Sequence, residues 1–203
     1  MTRESELKFL DVDMDELRPR IKSAGGVFEG RWLETNTVFD DPAGRLRKGG
    51  SLLRLRTCAG TSHGLLTFKQ ATDDPCRLKV CEEYETQVLD PAQTETLLAG
   101  LGYREVLVYQ KVRETWRMDR GLLVCLDLLP FGSFAELEGP EEAVLEAARA
   151  LGLDLEKSSK ETYFEINARV RSEAGLEPQE SFVFDDQALE PILDELDVGS
   201  PRG

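Results

Sequence analysis

Glutamates spaced two apart recur at three places in this chain, each time followed by a helical run and a glycine stop. Glu4-Ser5-Glu6 leads into a run ending at Gly25-Gly26, Glu83-Tyr84-Glu85 into one ending at Gly100-Leu101-Gly102, and Glu136-Leu137-Glu138 into one ending at Leu151-Gly152. On a strand, residues i and i+2 share a face. Each pair therefore aims two carboxylates one way, while Ser5, Tyr84 and Leu137 point the other way. Carboxylates crowded on one face repel unless cations hold them there. The threefold recurrence points to a site built to hold metal ions.

The remaining elements follow from alternation and turn chemistry. Strands are predicted over 3–10, 34–39, 51–57, 65–70, 78–89, 109–118, 122–128 and 134–138, with a closing strand over 160–166. Asp13 caps the first helix with Glu16 three residues on, and Pro19 inside it predicts a kink or a short first turn. Asp90-Pro91 opens the second helix. The third runs from Pro140 to Leu151 with Val144, Leu145, Ala148 and Leu151 on one face. His63, the only histidine, sits in a hairpin turn, which sets aside His-based triads and His-rich metal sites. No GxxxxGK[ST] loop occurs, and Gly49-Gly50 serves a turn. The segment after Val170 changes character: 173–180 is loop-like, Ser181-Phe182-Val183-Phe184 suits a short strand, 187–196 an acidic helix, and 199–203 a frayed end. This divides the chain into a domain over 1–169 and an acidic extension over 170–203.

The strands carry unusually rich charged faces of both signs. Glu4, Glu6 and Lys8 share one face; Arg54 and Arg56 oppose Leu53 and Leu55; Thr67 and Lys69 oppose Leu66 and Phe68; Lys111, Arg113, Thr115 and Arg117 share a face; Asp127 stands between Leu126 and Leu128. Any one such strand suits a solvated sheet face. Taken together, the apolar faces need covering, which three helices can do from outside, and the charged faces would then line the lumen of a closed barrel. The expected fold is α+β: an eight-stranded, largely antiparallel closed β-barrel, a tunnel with a charged lumen and helices packed on its outside. Eight strands leave room for one small ligand.

Such a lumen has a chemistry of its own. Arg54, Arg56, Lys69, Lys111 and Arg113 make a positive wall suited to phosphate oxygens. The glutamate pairs and Asp127 make an acidic wall suited to a hard divalent cation, Mg²⁺ or Mn²⁺, which takes oxygen ligands and bridges to phosphates. The two walls together complement a small-molecule polyphosphate with its metals. Net charge is −14, which argues against nucleic acid as a partner. No stretch has the apolar length of a membrane span, and the charged start Met-Thr-Arg-Glu-Ser-Glu is unlike a signal peptide. Cys58, Cys76, Cys81 and Cys125 form no CxxC pair and read as reduced thiols, so a cytoplasmic location is expected. A homodimer through the outer helical faces is compatible with the pattern.

These residues resemble the CYTH family, the triphosphate tunnel metalloenzymes, which includes class IV adenylyl cyclases, thiamine triphosphatases and inorganic triphosphatases. The resemblance runs through Glu4-Ser5-Glu6-Leu7-Lys8, Leu53-Arg54-Leu55-Arg56, Leu66-Thr67-Phe68-Lys69, Glu83-Tyr84-Glu85, Lys111-Val112-Arg113, Leu126-Asp127 and Phe131-Gly132-Ser133-Phe134-Ala135-Glu136-Leu137-Glu138, roughly residues 1–166. It implies a tunnel enclosing a metal-bound triphosphate. Glu4, Glu6, Glu136 and Glu138 then correspond to metal carboxylates, with Glu83, Glu85 and Asp127 as further acidic candidates. Lys8, Arg54, Arg56, Lys69, Lys111 and Arg113 correspond to catalytic and phosphate-binding groups, and Lys160 to a basic position near the last strand. Two places depart from the family pattern. Its frequent Asp-Thr-Tyr-Tyr-Asp is here Asn36-Thr37-Val38-Phe39-Asp40, and an arginine often found before the fifth-strand acids is here Cys81, with Lys79 two further back. The expected activity is metal-dependent hydrolysis of a nucleoside, thiamine or inorganic triphosphate. The alternative is class IV-type cyclisation of ATP to cyclic AMP and pyrophosphate. A non-catalytic polyphosphate-binding module would not need the full acidic set.

Overall fold

Alternation shapes this chain: several strands set charged residues on one face and apolar ones on the other, and closing the sheet into a ring encloses the charged face. The structure, a computed structural model, describes residues 2–72 and 78–196, without the side chains of 2–4 and 195. Cys76 and the stretch 199–203 lie outside the described residues.

The elements are β1 (Thr2–Leu10), α1 (Met14–Ser23), β2 (Val27–Asp40), α2 (Arg45–Lys48), β3 (Ser51–Cys58), β4 (Gly64–Ala71), β5 (Lys79–Val88), α3 (Pro91–Gly100), β6 (Arg104–Arg117), β7 (Leu123–Leu129), β8 (Gly132–Glu138), α4 (Glu141–Ala150), β9 (Ser158–Ser159), α5 (Tyr163–Glu173) and α6 (Asp186–Glu195). The sheet order is β5-β4-β3-β2-β6-β7-β8-β1, and β1 also pairs with β5, which closes an eight-stranded antiparallel barrel. The two-residue β9 adds to β1 at Lys8 and Phe9. A closed ring leaves no long open edge.

The apolar faces point outward and are covered. Leu7, Phe9, Val124, Leu126, Ala135 and Leu137 pack under Leu17 and Ile21 of α1 and under Val144 and Ala148 of α4. Leu98 of α3 covers Phe39 and Leu55. Leu33 and Val112 lie under Phe184 and Ile192 from the C-terminal segment. A fourth cluster, with Val38, Tyr109, Phe134, Tyr163, Ile166 and Phe182, fills one end of the barrel.

The three glycine stops expected from sequence are C-terminal helix caps. Gly25, Gly102 and Gly152 have φ of 90°, 91° and 74°. The next residue in each case donates its N–H five residues back, Gly26 to Ile21, Tyr103 to Leu98 and Leu153 to Ala148. That left-handed step with its backward bond turns the chain off a helix and back toward the barrel.

Several local expectations are corrected. Residues 160–166 do not form a strand: Thr162 accepts from the Glu165 N–H and the Glu165 carboxylate accepts from the Thr162 N–H, a capping box that opens α5. Pro19 does not interrupt α1, which runs unbroken to Ser23. β2 and β6 begin earlier than the alternation suggested, because register shifts near the start of each, between Phe28 and Gly30 in β2 and at Val38/Phe39 opposite Leu107/Glu105 in β6, hide the period. The turn after β2 holds the short helix α2, whose backbone N–H groups at Leu46 and Arg47 are received by Asp40.

Candidate functional site

Register brings opposite charges face to face across the lumen wall. Lys69 sits opposite Glu83, Lys8 opposite Glu136, Lys111 opposite Glu34 and Arg113 opposite Asp127. Glu6 lies between Lys79 on one side and Glu138 on the other. Because side chains alternate strictly, a one-residue slip at any of these ladders would send the whole charged row outside.

Together these faces enclose a cavity of about 200 Å³. Its basic lining is Lys8, Arg54, Arg56, Lys69, Lys79, Lys111 and Arg113, and its acidic lining is Glu6, Glu83, Glu85, Glu136 and Glu138. Leu52, Tyr109 and, around the start of α5, Thr162, Tyr163 and Phe164 complete it. Ion pairs knit the walls. Lys79 Nζ lies 2.6 Å from Glu6, Lys8 Nζ 3.0 Å from Glu136, Lys69 Nζ 2.9 Å from Glu83, and Arg113 3.3 Å from Glu138, with Arg113 also bonded to Glu136.

Two carboxylates lie beneath the lining. Asp127 is fully buried and accepts from Lys111 Nζ at 2.8 Å, from Arg113 Nε and Nη2 at 2.7 and 2.6 Å, and from the Tyr163 hydroxyl at 2.9 Å. Glu34, also fully buried, lies 3.3 Å from Arg56 and 3.8 Å from Lys111. Burial alone would raise the Glu34 carboxyl, but Arg56, Lys111, Arg113 and Arg54 overcome it and hold it down to about 2. Burial likewise opposes ionisation of Glu136, and Lys8, Arg113 and Lys111 prevail, keeping it well below the usual carboxylate range. Lys111 is pushed down by burial and by Arg113, yet Asp127, Glu34 and Glu136 raise it above its ordinary value. These groups hold their charges at neutral pH because they face one another.

Arg54 is fixed at its tip. Its Nη1 donates to the Tyr109 hydroxyl at 3.2 Å and its Nη2 to Thr67 Oγ1 at 3.3 Å, and that threonine donates onward to Glu85 at 2.8 Å. The Arg54 Nε has no hydrogen-bond partner among the described residues. The Lys8 ammonium stands 4.1 Å from the Tyr163 ring centre, a cation–π contact that costs the lysine no donor.

Oxygen atoms of Glu6, Glu136 and Glu138 come within 4.8 Å of one another. Three convergent carboxylates suit a hard divalent cation, and Lys79, Lys8 and Arg113 are the positive charges that now balance them. Opposite stand donors of the kind that receive phosphate oxygens. The arrangement can hold a condensed phosphate between cations on one side and metal-bridging carboxylates on the other.

The structure thus gathers Lys8, Arg54, Arg56, Lys69, Lys111, Arg113, Glu6, Glu83, Glu85, Glu136 and Glu138 around one cavity. Asp127 lies behind that surface, bonded to two of its cations. Glu4 is paired through its backbone with Cys81, and its side chain lies outside the described part. Lys160 is not among the lining residues. Sequence reading missed Tyr109, Tyr163, Glu34 and a wall position for Lys79. The period of two gives Lys79 from Glu83, Tyr109 from Lys111, and Glu34 from Asn36 of the departing motif. Tyr163 could have been found from the Thr162-x-x-Glu165 capping box.

Residues 2–170 match the family model described as the CYTH domain. No curated protein matches the chain. Among solved structures, a protein of Pyrococcus horikoshii shares 25% identity at a TM-score of 0.68, over 80% of this chain and 98% of that one. A candidate adenylate cyclase of Vibrio parahaemolyticus shares 23% at 0.68, over 81% and 97%. A candidate adenylyl cyclase of Hippeastrum, described as having a dominant triphosphatase activity, shares 20% at 0.59, over 86% and 97%. Among the described residues, no helix is long and apolar enough to cross a membrane.

Proposed function

We propose, since this chain belongs to the CYTH family, that it hydrolyses a small-molecule triphosphate inside its barrel with the help of a divalent cation. CYTH members are triphosphatases and cyclases and in general depend on divalent metals. The observation that carries the reading is one cavity lined both by a set of basic groups and by three convergent carboxylates.

In this reading Arg54, Arg56, Lys69, Lys111 and Arg113, joined by Lys8, receive the phosphate oxygens. Arginine forks grip pairs of oxygens, and lysines add point charges. The gain comes when charge spreads over the transferring phosphoryl group and the leaving oxygen, since groups already in place need no rearrangement. Asp127 and Glu34 keep those cations charged and aimed. Glu6, Glu136 and Glu138, with Glu4 from the same strand, would hold Mg²⁺ or Mn²⁺, which supplies charge neutralisation at the phosphate oxygens and polarises the phosphorus. Water attack at the terminal phosphorus forms one P–O bond as the bridging P–O bond breaks, and the proton lost by the water leaves with the products.

The same residues would serve attack by a ribose hydroxyl on the α-phosphorus, the cyclase reaction. Hydrolysis is favoured because it asks only for the phosphate grip and a cation, both of which the cavity's residues can supply. Purified protein given ATP, thiamine triphosphate or tripolyphosphate with Mg²⁺ or Mn²⁺ tests this. Phosphate release without cyclic AMP is expected, whereas cyclic AMP with pyrophosphate would overturn the hydrolase reading in favour of the cyclase.

A further inference from the structure

The β6–β7 ladder starts at Val112↔Leu128, so β7 gives no ladder partner to residues 108–110 on that side of β6. The C-terminal segment fills the place. Phe182 N donates to Val108 O at 3.2 Å and Gln110 N to Phe182 O at 2.9 Å, a parallel bridge centred on Tyr109. Val108 N donates to Ser181 Oγ at 3.0 Å, and Phe184 N to Gln110 Oε1 at 3.2 Å. Phe182 is only 5% exposed, and its ring centre lies 5.2 Å from that of Tyr109. On another side Tyr109 meets Phe164 edge-on at 5.4 Å, so two phenyl rings fix the phenol in the direction of Arg54. Phe164 belongs to the stretch that matches the family model, and Phe182 lies beyond it.

We propose that residues 181–184 brace the wall of the phosphate site from behind, and that Phe182 is a positioning residue that holds the Tyr109 hydroxyl against Arg54. This rests on the reading of the cavity as a phosphate site. The contacts run in series. The strap bonds to the backbone on both sides of Tyr109, Phe182 limits the tilt of the ring, and the hydroxyl holds one end of a guanidinium whose other end is held by Thr67. A guanidinium pinned at both ends loses less freedom when it takes a phosphate than one that must first be ordered. The extension therefore supports the binding site from behind, although none of its described side chains lines the cavity.

The test is a double-mutant cycle on tripolyphosphate binding, measured by calorimetry with Ca²⁺ in place of Mg²⁺ and Mn²⁺, the ions proposed to support turnover. Tyr109→Phe removes the hydroxyl and keeps the ring, and should weaken binding about tenfold. Phe182→Ala should weaken it by a similar factor, and Phe182→Leu, which keeps most of the apolar volume, by less. With Tyr109 already Phe, the loss at 182 should add less than about twofold, because both changes cut the same connection. Should Phe182→Ala fail to fold, Phe182→Leu and Tyr109→Phe complete the cycle. Effects that multiply, or an unchanged affinity in Tyr109→Phe, would overturn the positioning role. Failure of the unsubstituted chain to bind tripolyphosphate would overturn the phosphate reading itself, a separate result.

Discussion

Replacing Glu34 by Gln tests whether the buried carboxylates anchor the basic wall. Gln has the shape of protonated Glu, so at neutral pH the change amounts to forcing on the neutral form. The barrel lowers this carboxyl from its ordinary 4.5 to about 2, and at about 1.4 kcal/mol per pH unit the ionised form is worth about 3 kcal/mol to the fold. For a domain of this size that corresponds to a fall in Tm of about 6–12 °C. The sign follows from a depressed folded value. The stabilisation is complete above the unfolded value of 4.5 and fades as pH falls toward about 2. Urea unfolding of both proteins in phosphate-free buffer should therefore show a constant gap from pH 7 to pH 5 that narrows only below about 4.5. A ¹³C titration of the Glu34 carboxyl should find it ionised at pH 4. Equal stability at pH 7, or a carboxyl that titrates at or above 4.5, would refute the reasoning.

Asp127→Asn should cost about 3–5 kcal/mol in urea unfolding, because Lys111 and Arg113 lose the charge that both bond to. Glu138→Gln should cut turnover by at least about 100-fold in a phosphate-release assay, since it removes one of three convergent carboxylates, while its metal-free melting point stays within about 4 °C because the residue is partly exposed. Lys69→Ala should raise KM for tripolyphosphate more than it lowers kcat, and should flatten the dependence of KM on salt. Treatment with EDTA followed by dialysis should abolish phosphate release, and Mg²⁺ or Mn²⁺ should restore it.

Much of the fold was legible because the signal was periodic. The barrel follows from strands charged on one face and apolar on the other, and the three Glu-x-Glu pairs mark β1, β5 and β8, where register sets Glu6 between Lys79 and Glu138. Where a second signal competed, the period failed. The charges of residues 160–166 read as a strand, while Thr162 and Glu165 were closing a capping box over a helix. Glu34 reads from sequence as the start of a strand and not as a lumen anchor, since one carboxylate between Leu33 and Thr35 looks like any polar position until Arg56 and Lys111 stand beside it. The part played by Phe182 depends on where the β6–β7 ladder starts, which no local pattern encodes.

The seam between β1 and β5 also has a consequence for how the protein is made. β1 leaves the ribosome first, yet both of its neighbours in the ring, β5 and β8, come far later in the chain. Until Glu138 has emerged, the first strand has one flank with nothing to bind, and its acidic residues have no channel to sit in. Pairing between such distant segments is slow. Ring closure therefore waits for β8, and the pocket is complete only after the start of α5 has followed with Thr162, Tyr163 and Phe164.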